Sequence, residues 1–138
     1  MHEPAIAGVA PNDLWAIGSA GSQTLALHWD GTRWSVVTTP NGPHPWNQLS
    51  GVAAVSSTDV WAVGLSQSEV DTCGEGCYEY LPDTLVERWD GTHWSVVASP
   101  SPVAGQSSLV GVAASSNGPA WAVGMAGGQT LIEQNSAP

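Results

Sequence analysis

The sequence predicts an all-β fold of short antiparallel strands, and three observations carry that prediction. The 138 residues hold eight Trp, sixteen Gly and ten Pro, no Phe, and few charges. Such a composition favours short strands with frequent turns over amphipathic helices. The segment from Thr24 to Pro40, TLALHWDGTRWSVVTTP, returns a constant sixty residues later as TLVERWDGTHWSVVASP, Thr84 to Pro100. A second element begins at Gly8, Gly51 and Gly111 and ends each time in Trp-Ala-(Ile/Val)-Gly. Self-similarity at a fixed spacing marks a tandem architecture. The regular placing of Trp, Val and Leu argues against disorder, which the Gly, Pro and Ser content would otherwise allow.

The chain therefore reads as one repeat domain of units covering approximately 5–48, 49–108 and 109–138. In the second unit the four strand candidates are Gly51 to Val55, Val60 to Gly64, Leu85 to Trp89 and Thr92 to Val97. The third unit continues through Thr130-Leu131-Ile132-Glu133 and reaches Pro138 before any Trp-Asp-Gly-Thr, so it is expected to lack its outer strand. Asp30-Gly31 and Asp90-Gly91, flanked by β-formers, predict two-residue hairpin loops. That register sets Trp29 against Thr32, His28 against Arg33 and Leu27 against Trp34. It places Leu25, Leu27, Trp29, Thr32, Trp34 and Val36 on one face. The second copy gives Leu85, Glu87, Trp89, Thr92, Trp94 and Val96. His28 and Arg33 return as Arg88 and His93, exchanged, so neither His reads as a dedicated ligand or base.

The arrangement resembles the β-propeller superfamily of tandem four-stranded blades over essentially the whole chain. The Asp-Gly-Thr-x-Trp hairpins Asp30 to Trp34 and Asp90 to Trp94 look like shortened Asp-boxes of sialidase-like propellers, turns that serve structure. The Trp-Asp pairs at Trp29 and Trp89 are similar to those of WD40 repeats, without that family's Gly-His dipeptide. Kelch blades carry a Gly-Gly doublet where this chain has single Gly18, Gly64 and Gly124. The resemblance implies an incomplete propeller of about three blades, with small residues such as Gly51, Ala53, Gly111 and Ala113 on inner strands near a narrow axis. Propellers close with about four to eight blades. A ring completed by further blades of a longer chain, or by self-association into about six or nine blades, is therefore expected. Resemblance to tandem WDGTxWS-type repeat proteins further implies a bacterial, extracellular or cell-surface setting.

Charge narrows the partners. The formal net charge is −10, and Arg33 and Arg88 are the only Lys or Arg residues. Two scattered arginines cannot neutralise a phosphate backbone or an anionic bilayer, which argues against nucleic acid and membrane as partners. No apolar run is long enough to span a bilayer, and Met1-His2-Glu3-Pro4 does not open a signal peptide. Cys73 and Cys77 read first as a local disulfide, with free thiols or a metal pair as alternatives.

Two features fall outside the repeat. An insertion from Leu65 to Pro82 reads as a loop holding Glu69, Asp71, Glu75, Tyr78 and Tyr80. Its functional reading is a ligand or calcium loop, against a plain surface excursion clipped by the cysteines. The carboxylates do not follow an EF-hand spacing, and no cofactor is assigned. Trp46, in a connection, is either a plug over a unit boundary or a platform for a sugar. The other seven Trp occupy repeat positions and are expected to pack between units. No local signal of a nucleophile or an arginine triad supports catalysis. The leading functional expectation is a non-catalytic binding or scaffold module. A glycan-binding lectin is the alternative, and a glycoside-hydrolase-like fragment stands third.

Overall fold

The computed structural model describes residues 4–116 and 118–136. The Met1-His2-Glu3 start and the last two residues of the third unit lie outside the described residues. All of the regular structure is antiparallel β, in three sheets, with no helix among the described residues. The first sheet runs β1 (Ala5–Ala10), β2 (Asp13–Ala20), β3 (Gln23–Trp29) and β4 (Trp34–Val37) in spatial order. The second runs β5 (Trp46–Ser56), β6 (Asp59–Asp71), β7 (Tyr78–Trp89) and β8 (Trp94–Val97). The third has three strands only: β9 (Ser107–Ala114), β10 (Ala120–Ala126) and β11 (Gln129–Asn135). Every sheet is a simple meander, so each strand pairs with its neighbour in sequence through a short turn.

The repeated residues hold repeated register. Trp15 lies opposite His28, Trp61 opposite Arg88 and Trp121 opposite Gln134. Strands alternate their side chains, so every sheet has two distinct faces. One face carries Trp15 and Ile17 in the first sheet, and Trp61 and Val63 in the second. The other carries Ala62, Leu85 and Glu87 in the second sheet, and Ala122, Leu131 and Glu133 in the third. Two cores result. Trp15, Ile17 and Ala26 pack with Leu49, Val60, Ala62, Leu85 and Trp94 between the first two sheets. Trp61, Val63 and Val86 pack with Leu109, Ala120, Ala122 and Leu131 between the second and third.

The first interface is aromatic. The Trp15 ring lies 4.9 Å from Trp89 and 5.2 Å from Trp94, edge-on to the latter. Such pairs contribute about 0.5–1.5 kcal/mol each beyond the area they bury. On the inner strands, a Cβ on Gly51 would lie 3.0 Å from the Gly111 Cα, so β5 and β9 meet through glycine. Threonine latches fix the crossing from each outer strand to the next sheet. Thr24 Oγ1 donates to the Pro40 carbonyl at 3.0 Å, and Thr84 Oγ1 to that of Pro100 at 2.9 Å.

Three expectations are corrected. The Asp-Gly hairpins are wider by two residues, both on the C-terminal side: Trp29 pairs with Trp34 and Trp89 with Trp94, leaving four residues in each turn. The cause is the aspartate. Asp30 Oδ1 accepts from Thr32 N at 2.9 Å and Arg33 N at 3.0 Å, and Asp90 accepts likewise from Thr92 and His93. These bonds take the turn amides out of the ladder. A shift of two keeps parity, so Leu27, Trp29, Trp34 and Val36 still share a face, but His28 now faces Ser35.

The insertion from Leu65 to Pro82 is not a loop. Strands β6 and β7 continue through it as a paired ribbon to Asp71 and Tyr78, leaving only residues 72–77 as the turn. Alternation of Leu65, Gln67 and Glu69 with Ser66 and Ser68 suits a strand, and Pro82 is tolerated because β8 pairs only with the far end of β7. Finally, Trp46 opens β5 opposite Gln67 instead of lying in a connection.

Candidate functional site

The extended ribbon and the start of β5 create a cleft of about 400 Å³. Register explains its lining. Trp46 pairs with Gln67, Gln48 with Leu65, and Glu69 with Tyr80, so these six side chains lie in two-residue steps along three adjacent strands. All six line the cleft, with Gly21 and Asn47 closing it. Trp46 and Tyr80 are substantially open to solvent, 43% and 55% exposed, in a protein whose Trp15 and Trp61 are buried. Two exposed aromatic side chains therefore border a floor of two amides, one carboxylate and the apolar Leu65.

Asn47 is a support and not a contact. It is 5% exposed, its Oδ1 accepts from Gly42 N at 2.9 Å, and its Nδ2 donates to the His44 carbonyl at 2.9 Å. Its backbone N donates to the Ser22 carbonyl at 2.9 Å, tying the edge of the cleft to the β2–β3 turn. The connection before Trp46 is held from the other side. His44 Nε2 donates to Asp83 Oδ2 at 2.8 Å, and Asp83 Oδ1 accepts from Gly105 N at 2.9 Å. Desolvation works to raise the Asp83 carboxyl, but the Gly105 amide and the hydrogen bond and charge of His44 hold it below its ordinary value. The residues that position Trp46 are thus polar and cross-linked.

The cleft unites only part of the expected set. Trp46 and Tyr80 line it, whereas Asp71, Glu75 and Tyr78 lie at or beyond the ribbon tip. Asp71 is consumed by the turn: its Oδ1 accepts from Cys73 N at 3.1 Å and Gly74 N at 2.8 Å. The amide of Cys73 leads the interactions that lower the Asp71 carboxyl. Cys73 and Cys77 form a disulfide across the same turn, with their Cα atoms 5.5 Å apart. Among the described residues no group of three or more His, Cys, Asp and Glu side chains is placed to hold a metal ion. Gln48 and Gln67 were not singled out by residue type; the two-residue alternation through Leu65, Gln67 and Glu69 is the signal that would have placed Gln67 there.

Ser66, His44 and Asp83 lie close together but not as a nucleophile and its base. Ser66 Oγ accepts from the His44 backbone N at 3.0 Å, and Ser66 is 0% exposed. The histidine ring is engaged by Asp83. Such a hydroxyl braces the connection, out of reach of a substrate.

The hairpin residues Trp29, Asp30, Gly31 and Trp34, and Trp89, Asp90, Gly91 and Trp94, lie away from the cleft, in the β3–β4 and β7–β8 corners. The Thr32 hydroxyl and the Thr32 and Arg33 amides hold the Asp30 carboxyl down at about 2. No family model matches the chain, and comparisons with curated proteins and with solved structures likewise found no match.

Proposed function

We propose that this chain is a non-catalytic binding module built of propeller blades, and that its ligand is a glycan held in the Trp46–Tyr80 cleft. The blade reading is supported by three successive meander sheets, face to face, the second and third meeting through glycine on their first strands. The ligand reading rests on one observation: two solvent-open aromatic rings flank the side chains of Gln48, Gln67 and Glu69 in one cleft. A pyranose offers a C–H face for an aromatic ring and a rim of hydroxyls that both donate and accept. Amides match that rim because each carries both a donor and an acceptor. The volume falls within the range of small-ligand sites, about 300–1,000 Å³. A glycoside-hydrolase reading would need a pair of carboxyls facing each other across the cleft, and Glu69 is the single carboxylate among its lining residues.

The test is a glycan-array screen followed by calorimetric titration of the best oligosaccharide. Specific binding that is abolished by Trp46→Ala and weakened by Gln67→Ala would support the reading. Binding unchanged in Trp46→Ala, or no binding by any glycan, would defeat it.

A further inference from the structure

The face carrying Trp15 in the first sheet, and Trp61 in the second, recurs in the third sheet with no sheet against it among the described residues. Residue by residue the three faces correspond. Trp15, Trp61 and Trp121 are 1%, 2% and 49% exposed; Ile17, Val63 and Val123 are 2%, 0% and 42%; Ala26, Val86 and Ile132 are 0%, 0% and 62%. The first two faces are buried because the next sheet covers them. The third displays the same side chains to solvent, extended by Met125 at 51%. Its side chains are uncharged on a chain of formal net charge −10. A contiguous apolar face of this kind marks an interaction surface.

What covers such a face is visible twice within the chain: the opposite face of the following sheet. Among the described residues the first sheet presents that opposite face without a neighbouring sheet too. It carries Leu25, Leu27 and Trp29, together with Trp34 at 41% exposure, and a small apolar cavity of about 180 Å³ runs between Pro4, Ala16 and the two leucines. Trp29 and Trp34 already lie ring against ring, tilted 47° with centroids 5.6 Å apart, as Trp89 and Trp94 do at 49° and 6.0 Å. Trp15 lies against both members of the second pair. The socket therefore exists in two copies, one filled and one open. The open one is also the more apolar, because Leu27 stands where Glu87 stands in the filled one.

We propose that a second copy of this chain docks head to tail, its third sheet seated on the first sheet of its partner. Trp121 then enters the Trp29–Trp34 pair as Trp15 enters that of Trp89 and Trp94. The contact is heterologous: two different surfaces meet, and the same contact repeats until the assembly closes.

The experiment is light scattering coupled to size exclusion on the 138-residue chain, on Ile132→Arg, on Trp34→Arg, and on an equimolar mixture of the two variants. Both positions are exposed, and circular dichroism checks each fold. Met125→Glu and Val36→Glu stand in for either variant that does not fold. The expected result is a discrete multimer for the wild type and a monomer for each variant alone. The mixture forms a dimer, because one intact face of each kind remains. A wild-type monomer at the highest soluble concentration overturns the proposal and leaves the faces to further sheets or to another protein. A multimer that survives either substitution, or a mixture that stays monomeric, overturns it equally, since a symmetric or unrelated contact is then at work. Unsized aggregate in the wild type also rejects it.

Discussion

Leu27 and Glu87 occupy the same position in successive sheets, Leu27 opposite Ala16 and Glu87 opposite Ala62. Leu27 lies on the uncovered face of the first sheet. Glu87 is 0% exposed in the first core, and neither carboxylate oxygen has a hydrogen-bond partner among the described residues. Burial pushes its carboxyl from 4.5 up to about 8, so the group is largely protonated at neutral pH. A carboxylate left without a partner in such surroundings is costly, and neutralisation is the usual escape.

The pH dependence follows from that shift. Between 4.5 and about 8 the unfolded chain has released a proton that the folded chain keeps. Stability therefore falls as pH rises through this window, by up to about 1.4 kcal/mol per pH unit. Glu87→Gln removes the Glu87 titration and leaves that of Glu133, whose carboxyl is also raised by burial. The variant's unfolding free energy in urea titrations is expected to match wild type at pH 5 and to exceed it at pH 8, by about 2–4 kcal/mol. A wild type equally stable at both values, with Glu87→Gln no better at pH 8, would show that the carboxyl is solvated. Asp83, whose carboxyl is lowered, acts on the acid side, where its contribution is lost as pH falls through its folded value.

Trp15 is the keystone of the first core, 1% exposed and in contact with rings from both β7 and β8. Trp15→Ala is expected to cost about 3–5 kcal/mol, the usual range for emptying a buried aromatic position. Trp121→Ala removes the corresponding residue of the third sheet, which is half exposed. In a chain held as a monomer by Trp34→Arg, its cost should stay below about 1 kcal/mol. Comparable losses at the two positions would contradict the stated burial.

The strands were readable because the repeats and the hydrophobic alternation point to the same elements. Among the described residues the third sheet has three strands, as the missing Trp-Asp-Gly-Thr copy in the third unit leads one to expect. Hairpin register was not readable to the residue, since Asp30 and Asp90 can turn the chain over two positions or four. Only the carboxylate bonds to Thr32, Arg33, Thr92 and His93 decide between them. The cleft was half readable. Trp46 and Tyr80 stand out as aromatic residues beyond the repeat. Gln48 and Gln67 become neighbours of theirs only because β5 and β6 extend past the repeated core, through a Pro-rich segment and an acidic one that read as loops.

Gly64 offers a sharper test of close packing than of turn conformation. A Cβ there would collide with the backbone carbonyl oxygen of Gln48, and on Gly124 with that of Ser108, the equivalent contact in the third sheet. Neither neighbour is a flexible side-chain end, so the β5–β6 bulge would have to open. Gly64→Ala is expected to destabilise by more than about 2 kcal/mol, as overpacking against fixed atoms does. Gly21→Ala meets nothing within 4 Å and bears only the strain of a φ of +62°, about 1 kcal/mol. Thermal unfolding of the two variants side by side gives the order, and a reversed order would refute the assigned contact.

The Cys73–Cys77 disulfide closes the ribbon tip, which Asp71 already organises through the Cys73 and Gly74 amides and Thr72 N through the Cys77 carbonyl at 2.7 Å. The closed loop is very short, so loop-closure entropy limits its stabilisation to about 2 kcal/mol. The tip is exposed and lies beyond both cores, so its opening need not propagate into them. Reduction, or Cys73→Ser with Cys77→Ser, is expected to increase amide exchange at residues 72–77 and to leave the exchange of β6 from Val60 to Ser66 unchanged. The Trp46–Tyr80 cleft draws its nearest tip residues from Glu69 and Tyr80, two register pairs below Asp71 and Tyr78, so ligand affinity should change by less than about threefold. A large loss of affinity on reduction would place the ligand against the tip itself, and would return Asp71, Glu75 and Tyr78 to the binding site.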